Sequence, residues 1–217
     1  MTDDIDRTPV PTEIHLLTTV DGVGLEAETR VPLRPVGAAV LAHPHPQHGG
    51  SMRSLVTSEL FRTLPELDVA VIRFNFRGVE RSEGTYDAGH GEQHDIVAAI
   101  DTLSGLVDNV ALVLAGWSFG ADVSLSIIDP RVTGWCVVAP PLRILRADEL
   151  LAAQDPRPKR LVVPENDQYR TPDSVRSYTE GWVRTEVAVI AGGDHFLAGR
   201  TDQVATHIAE FVAIEAS

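Results

Sequence analysis

The stretch that most restricts what this chain can become is Val110 to Val123, VALVLAGWSFGADV. An unbroken apolar run, Val110 to Ala115, is what a parallel strand buried on both faces requires. It runs into Gly116-Trp117-Ser118-Phe119-Gly120 and then into a segment with helical character from Ala121. Glycine, any residue, serine, any residue, glycine between a strand and a helix is the pattern of a nucleophile elbow. The glycines have a steric task, because a turn sharp enough to strain the serine backbone leaves no space for side chains beside it. Ser118 is therefore expected at the carboxyl end of the sheet, at a helix N-terminus, with its hydroxyl facing a cleft.

The rest of the chain supplies the sheet around that strand. Glu13 to Thr19 and Leu25 to Val31 alternate around the turn signal Asp21-Gly22, which predicts an antiparallel edge hairpin. Strands are predicted at Gly37 to Ala42, Val69 to Phe74, Gly134 to Ala139, Arg160 to Val163 and Glu186 to Ile190. Helices are predicted over Ser51 to Leu64, Glu92 to Leu106, Ser118 to Ile128, Ala147 to Ala153, Ser174 to Gly181, and from the loop ending at Gly199 to about residue 213. Strand and helix alternate from residue 37, so right-handed crossovers build a mostly parallel sheet with helices on both faces. Residues 1–12 are polar and contain proline, as in a flexible tail, leaving 13–217 as one domain. Between the strands at 134–139 and 160–163 there is room for a minimal lid at most.

Charge narrows the function. With 18 basic and 31 acidic residues the formal balance is -13, a surface that repels phosphate backbones and anionic lipid, so neither nucleic acid nor membrane is an expected partner. The start of the chain lacks an export signal and no stretch is long enough to span a bilayer. A single cysteine, Cys136, permits no internal disulfide and suits a reducing compartment. The expectation is a cytoplasmic protein whose partner is a small molecule, with pairing of two copies as a homodimer left open.

A serine hydroxyl needs an imidazole to take its proton and a carboxylate to orient that imidazole. With the elbow first in chain order, the acid and then the histidine are expected, each after its own strand. Asp167 lies in Pro164-Glu165-Asn166-Asp167-Gln168-Tyr169, after the strand at 160–163; Glu165 and Asp194 are the competing acids. His195 lies in Gly192-Gly193-Asp194-His195-Phe196, after the strand at 186–190. An oxyanion needs two amide donors. The Phe119 N–H is one, and the loop after the first central strand supplies the other. Pro44 and Pro46 have no N–H, so the choice falls on His45, with Gln47 as the alternative. Trp117, Gln47, His48 and Phe196 are the candidates to contact substrate. The histidines at 43, 45 and 48, and at 90 and 94, raise the question of a metal; no cysteine or carboxylate motif with ligand spacing accompanies them, and no metal is expected. Arg77 is expected to anchor its own turn rather than to meet an anionic substrate group.

HPHPQHGGSM, RFNFRGVERSEG, GWSFGA and GGDHFLAG, in that order and spacing, resemble the small bacterial α/β-hydrolase group related to dienelactone hydrolases and short-chain serine esterases. The resemblance extends from residue 37 to about 213. It implies the α/β-hydrolase fold and a Ser-His-Asp hydrolase acting without a cofactor; the short segment between the strands at 134–139 and 160–163 predicts an open cleft, which favours small carboxylic esters, thioesters or lactones. It carries over Ser118, Asp167 and His195, with His45 and Phe119 as the oxyanion donors. The sequence departs from the group at His48, where relatives often have an aromatic residue, and the pocket is expected to differ there. Amide cleavage or acyl transfer by the same residues, and a non-catalytic binding module, are the competing expectations.

Overall fold

A computed structural model describes residues 9–215, and residues 1–8 of the expected tail lie outside the described part. The end of that tail is tied down, because the Val10 carbonyl accepts a hydrogen bond from Arg30 Nε. Eight strands follow: β1 (Glu13–Thr18), β2 (Gly24–Arg30), β3 (Gly37–Leu41), β4 (Val69–Phe74), β5 (Ala111–Leu114), β6 (Val132–Val138), β7 (Lys159–Pro164) and β8 (Thr185–Ile190). They form one sheet in the order β1-β2-β4-β3-β5-β6-β7-β8. β1 and β2 pair antiparallel, as does β2 with β4, and every later pair is parallel.

The central strands β3 and β5 are buried at every position, which is why each is an apolar run without alternation. The helices that cover them divide between the two faces. Helices α2 (Gly91–Ser104), α3 (Phe119–Leu125) and α4 (Pro172–Tyr178) pack with Phe74, Trp135 and Leu161 on one side. Helices α1 (Leu55–Thr63) and α5 (Thr201–Glu215) pack with Leu41, Val113 and Val162 on the other. Burying that apolar area on both faces is the main force holding the sheet together, at roughly 25 cal/mol per Å² removed from water.

Local chemistry moves several element boundaries. α1 begins at Leu55 rather than Ser51, because the Met52 N–H is drawn off to Asn75 Oδ1 at 2.7 Å and the Ser51 N–H to Ser54 Oγ at 3.0 Å. Pro65 does not stop the chain's turning but opens a 3₁₀ turn at Leu64–Leu67, where its missing N–H costs nothing. α3 ends at Leu125, before the expected Ile128, where Ser126 Oγ donates back to the Val123 carbonyl. The expected helix at Ala147 to Ala153 is two 3₁₀ turns broken at Leu150 (ψ 70°), the first closed by Glu149 accepting the Arg146 N–H. α4 begins earlier than expected, with Thr171 accepting the Ser174 N–H and Pro172 in the first turn.

Strand order reverses direction at β3, between β4 and β5. Chain leaving the carboxyl ends of β3 and β5 therefore parts around a crevice, where ligands bind in sheets of this kind. No helix among the described residues is long and apolar enough to cross a membrane.

Candidate active site

Ser118 occupies that crevice, at φ 55° and ψ −116°, between β5 and the first residue of α3. Its backbone is locked by its own N–H donating to the Val138 carbonyl at 2.9 Å. The flanking glycines are obligatory: a Cβ on Gly116 would lie 2.1 Å from the Gly120 carbonyl oxygen, and one on Gly120 would lie 2.4 Å from the Ala42 oxygen. Strand and helix cross too closely for any side chain there, and this close crossing lifts Ser118 Oγ into the open.

His195 comes to it from the loop after β8, with Nε2 at 3.0 Å from Ser118 Oγ. Behind it, from the loop after β7, Asp167 Oδ2 lies 2.8 Å from His195 Nδ1. Both residues are buried. The other oxygen of Asp167 accepts the Tyr169 and Arg170 N–H groups at 2.8 and 3.2 Å, so the carboxylate cannot rotate away. Trp117 Nε1 donates to the His195 carbonyl at 3.2 Å, tethering the histidine loop to the elbow. The competing acids are engaged elsewhere: Glu165 accepts the Gly192 N–H, and Asp194 accepts those of Phe196 and Leu197.

The loop after β3 forms the opposite wall. Among the described residues, neither the Phe119 N–H nor the His45 N–H donates to a protein acceptor. The Gln47 N–H, the alternative to His45, donates to His45 Nδ1 at 3.2 Å instead. Gln47, expected to touch substrate, is exposed in the 3₁₀ turn Pro46–His48 and is not among the residues that line the cleft. The cleft, about 330 Å³, is lined by Trp117, His48 and Phe196, the candidates for substrate contact, and by Leu55, Arg143, Ile144 and Tyr169, which sequence reasoning missed. His48 stacks on His45 with ring centroids 4.2 Å apart, and Phe196 presents its ring to His195 at 5.8 Å.

His43 does not face the cleft. It is fully buried, with Nδ1 donating to the Pro44 carbonyl at 2.6 Å and Nε2 accepting the Phe76 N–H at 3.0 Å. Burial holds its pKa down at about 3, with the Pro44 bond pulling weakly the other way. The unfolded imidazole titrates near its ordinary 6.5. Below that value the unfolded chain takes a proton that the folded one refuses, so stability is lost as pH falls from 6.5 toward 3. Urea unfolding at pH 7 and pH 5 is expected to show a loss from this group of about 2 kcal/mol, absent in His43→Gln. Equal pH dependence in the two proteins would refute the assignment. His90 and His94 sit on the surface, 3.6 Å from Glu149 and 3.4 Å from Asp21. Arg77 is buried against Asp95 and Asp21 and fixes its own turn.

Asp122 is a site residue that sequence reasoning did not single out. It is buried on α3, one turn beyond Ser118, and accepts three successive amides, those of Leu142 (2.9 Å), Arg143 (2.9 Å) and Ile144 (3.0 Å). Burial pushes its carboxyl up to about 6, against the pull of those amides. The bonds hold a loop that bends through Leu142 at φ 51°, a left-handed conformation a leucine adopts only under constraint.

Fold and site define a class. The alpha/beta hydrolase domain family matches residues 37–215, and the chain belongs to that family. Hydrolysis is the reaction class this membership supports. Among solved structures, an alpha-beta serine hydrolase homologue from Coxiella burnetii is 29% identical, with a TM-score of 0.79 over 94% of this chain and 97% of that one. A lidless serine hydrolase from Xanthomonas campestris is 26% identical, also at TM-score 0.79, over 94% and 97%. An uncharacterized protein of Rickettsia prowazekii is 28% identical over 87% of this chain and 83% of its own.

Proposed function

We propose that the protein hydrolyses small carboxylic esters through an acyl-enzyme on Ser118. The observation that carries this reading is the unbroken hydrogen-bond chain from Ser118 Oγ through His195 to Asp167, opening on a cleft. His195 Nε2 takes the Ser118 proton as Oγ attacks the ester carbonyl, and Asp167 steadies the imidazolium that forms. The Phe119 and His45 amides, without protein acceptors, receive the negative oxygen of the tetrahedral intermediate. His195 returns the proton to the leaving alcohol. Water, deprotonated by the same imidazole, then releases the acid and restores Ser118. No step calls for a metal or an organic cofactor.

Cleft size sets the substrate range. About 330 Å³, with two 3₁₀ turns as the helical structure between β6 and β7, suits short acyl groups rather than long chains that need a tunnel. Nitrophenyl butyrate is expected to be turned over at least tenfold faster, as kcat/KM, than nitrophenyl dodecanoate, and a fluorophosphonate probe is expected to label Ser118. A protein that neither turns over the butyrate nor accepts the probe is not a serine esterase.

A further inference from the structure

The composition of the cleft wall departs from that of the whole chain. Acidic residues outnumber basic ones, 31 to 18, yet among the described residues no Asp or Glu lines the cleft and one arginine does, Arg143. Asp167 is hidden behind His195 and spent on it. Most other arginines are engaged: Arg77, Arg131 and Arg157 hold carboxylates, and Arg170 holds the Pro141 and Leu142 carbonyls, while Arg34 and Arg81 are exposed and lie outside the cleft. Among the described residues Arg143 has no carboxylate and no side-chain hydrogen bond. Its guanidinium lies over the Tyr169 ring, with Cζ 5.1 Å from the centroid. A cation–π contact consumes no N–H donor, so the fork that matches a carboxylate is left free.

Its placement is fixed from both sides. Asp122 holds the Arg143 backbone amide, and Tyr169 packs edge-on against His195 with centroids 4.5 Å apart. One aromatic ring thus separates the guanidinium from the imidazole beside Ser118. In a protein so rich in acids, an exposed arginine without one, on a wall cleared of them, is arranged for an anion that arrives from outside.

We propose that Arg143 recognises a carboxylate on the substrate, so that the preferred esters are anionic, with the charge a few bonds from the scissile carbonyl. This rests on Ser118 acting as the nucleophile. The charge sits either on the acyl group, as in a half-ester of a short dicarboxylic acid, or on the leaving group, as in an acylated hydroxybenzoate.

Two matched pairs separate these sources: monoethyl glutarate against ethyl butyrate, followed by pH-stat titration, and 4-acetoxybenzoate against its methyl ester, followed by absorbance. In Arg143→Gln the ratio of charged to neutral kcat/KM is expected to fall about tenfold in one pair, with the neutral ester within twofold of wild type; the pair that responds locates the charge. Arg143→Lys, which keeps the charge without the fork, is expected to fall between. A ratio unchanged within twofold in both pairs, or an equal loss on charged and neutral esters, overturns the proposal and leaves the Ser118 reading standing. Absence of any ester turnover together with absence of probe labelling at Ser118 removes both.

Discussion

Ser118→Ala is expected to lower kcat on nitrophenyl butyrate by about 10⁶-fold while leaving the protein folded. The size of the loss follows from the division of labour. Without Oγ there is no acyl-enzyme and no serine proton for His195 to take; what remains is direct attack by water on an ester held near the Phe119 and His45 amides. Folding is spared because alanine meets the same steric demands as serine at φ 55°, and the turn is held by backbone, through the Ser118 N–H to Val138. Circular dichroism and urea midpoints check the fold, and stopped assays at high enzyme check the activity. A variant retaining a tenth of wild-type activity would mean that some other group attacks.

The second large effect is assigned to Asp167→Asn, for which a loss of about 10⁴-fold in kcat is expected. Its physical cause lies in which oxygen faces which partner. Oδ1 of Asp167 accepts two amides, from Tyr169 and Arg170, while Oδ2 faces His195 Nδ1. An asparagine must turn its carbonyl toward those two amides and its NH₂ toward the imidazole. Nδ1 then has to accept, the ring proton moves to Nε2, and the nitrogen next to Ser118 is no longer a base. Glu165→Gln and Asp194→Asn, whose carboxylates accept loop amides rather than a ring nitrogen of His195, are expected to stay within a fewfold of wild type. If either of those cost more than Asp167→Asn, the acid would have to be reassigned.

The parts of this molecule legible in its sequence are those where one physical requirement dominates. A strand buried on both faces has to be apolar, so the run Val69–Ile72 marked β4, and its bounds could be read to the residue as Val69–Phe74. A close crossing has to be glycine, so Gly116 and Gly120 marked the elbow. What could not be read depends on partners distant in sequence. The late start of α1 requires knowing that Asn75 takes the Met52 amide, and the loss of a helix at 147–153 requires knowing how Glu149 folds back. Leu16 and Ile14 alternate as a hairpin strand should, yet both face solvent while His15 turns inward to Thr29, because β1 is an edge with only part of one face covered. Histidine type alone could not separate His43, a buried strut, from His45 on the cleft wall, since the difference is whether Phe76 and Pro44 take both ring nitrogens. Tyr169, Arg143 and Ile144 reach the cleft only through the folding of their loops. A charged residue amid Ala121 and Val123 was the available hint of Asp122.

Asp122 grips its loop by the main chain alone, through amides that every amino acid except proline possesses. The side chains at 143 and 144 can therefore be exchanged without disturbing the course of the polypeptide that displays them. If Arg143 selects substrate as proposed, libraries randomised at those two positions are the economical place to seek altered substrate choice.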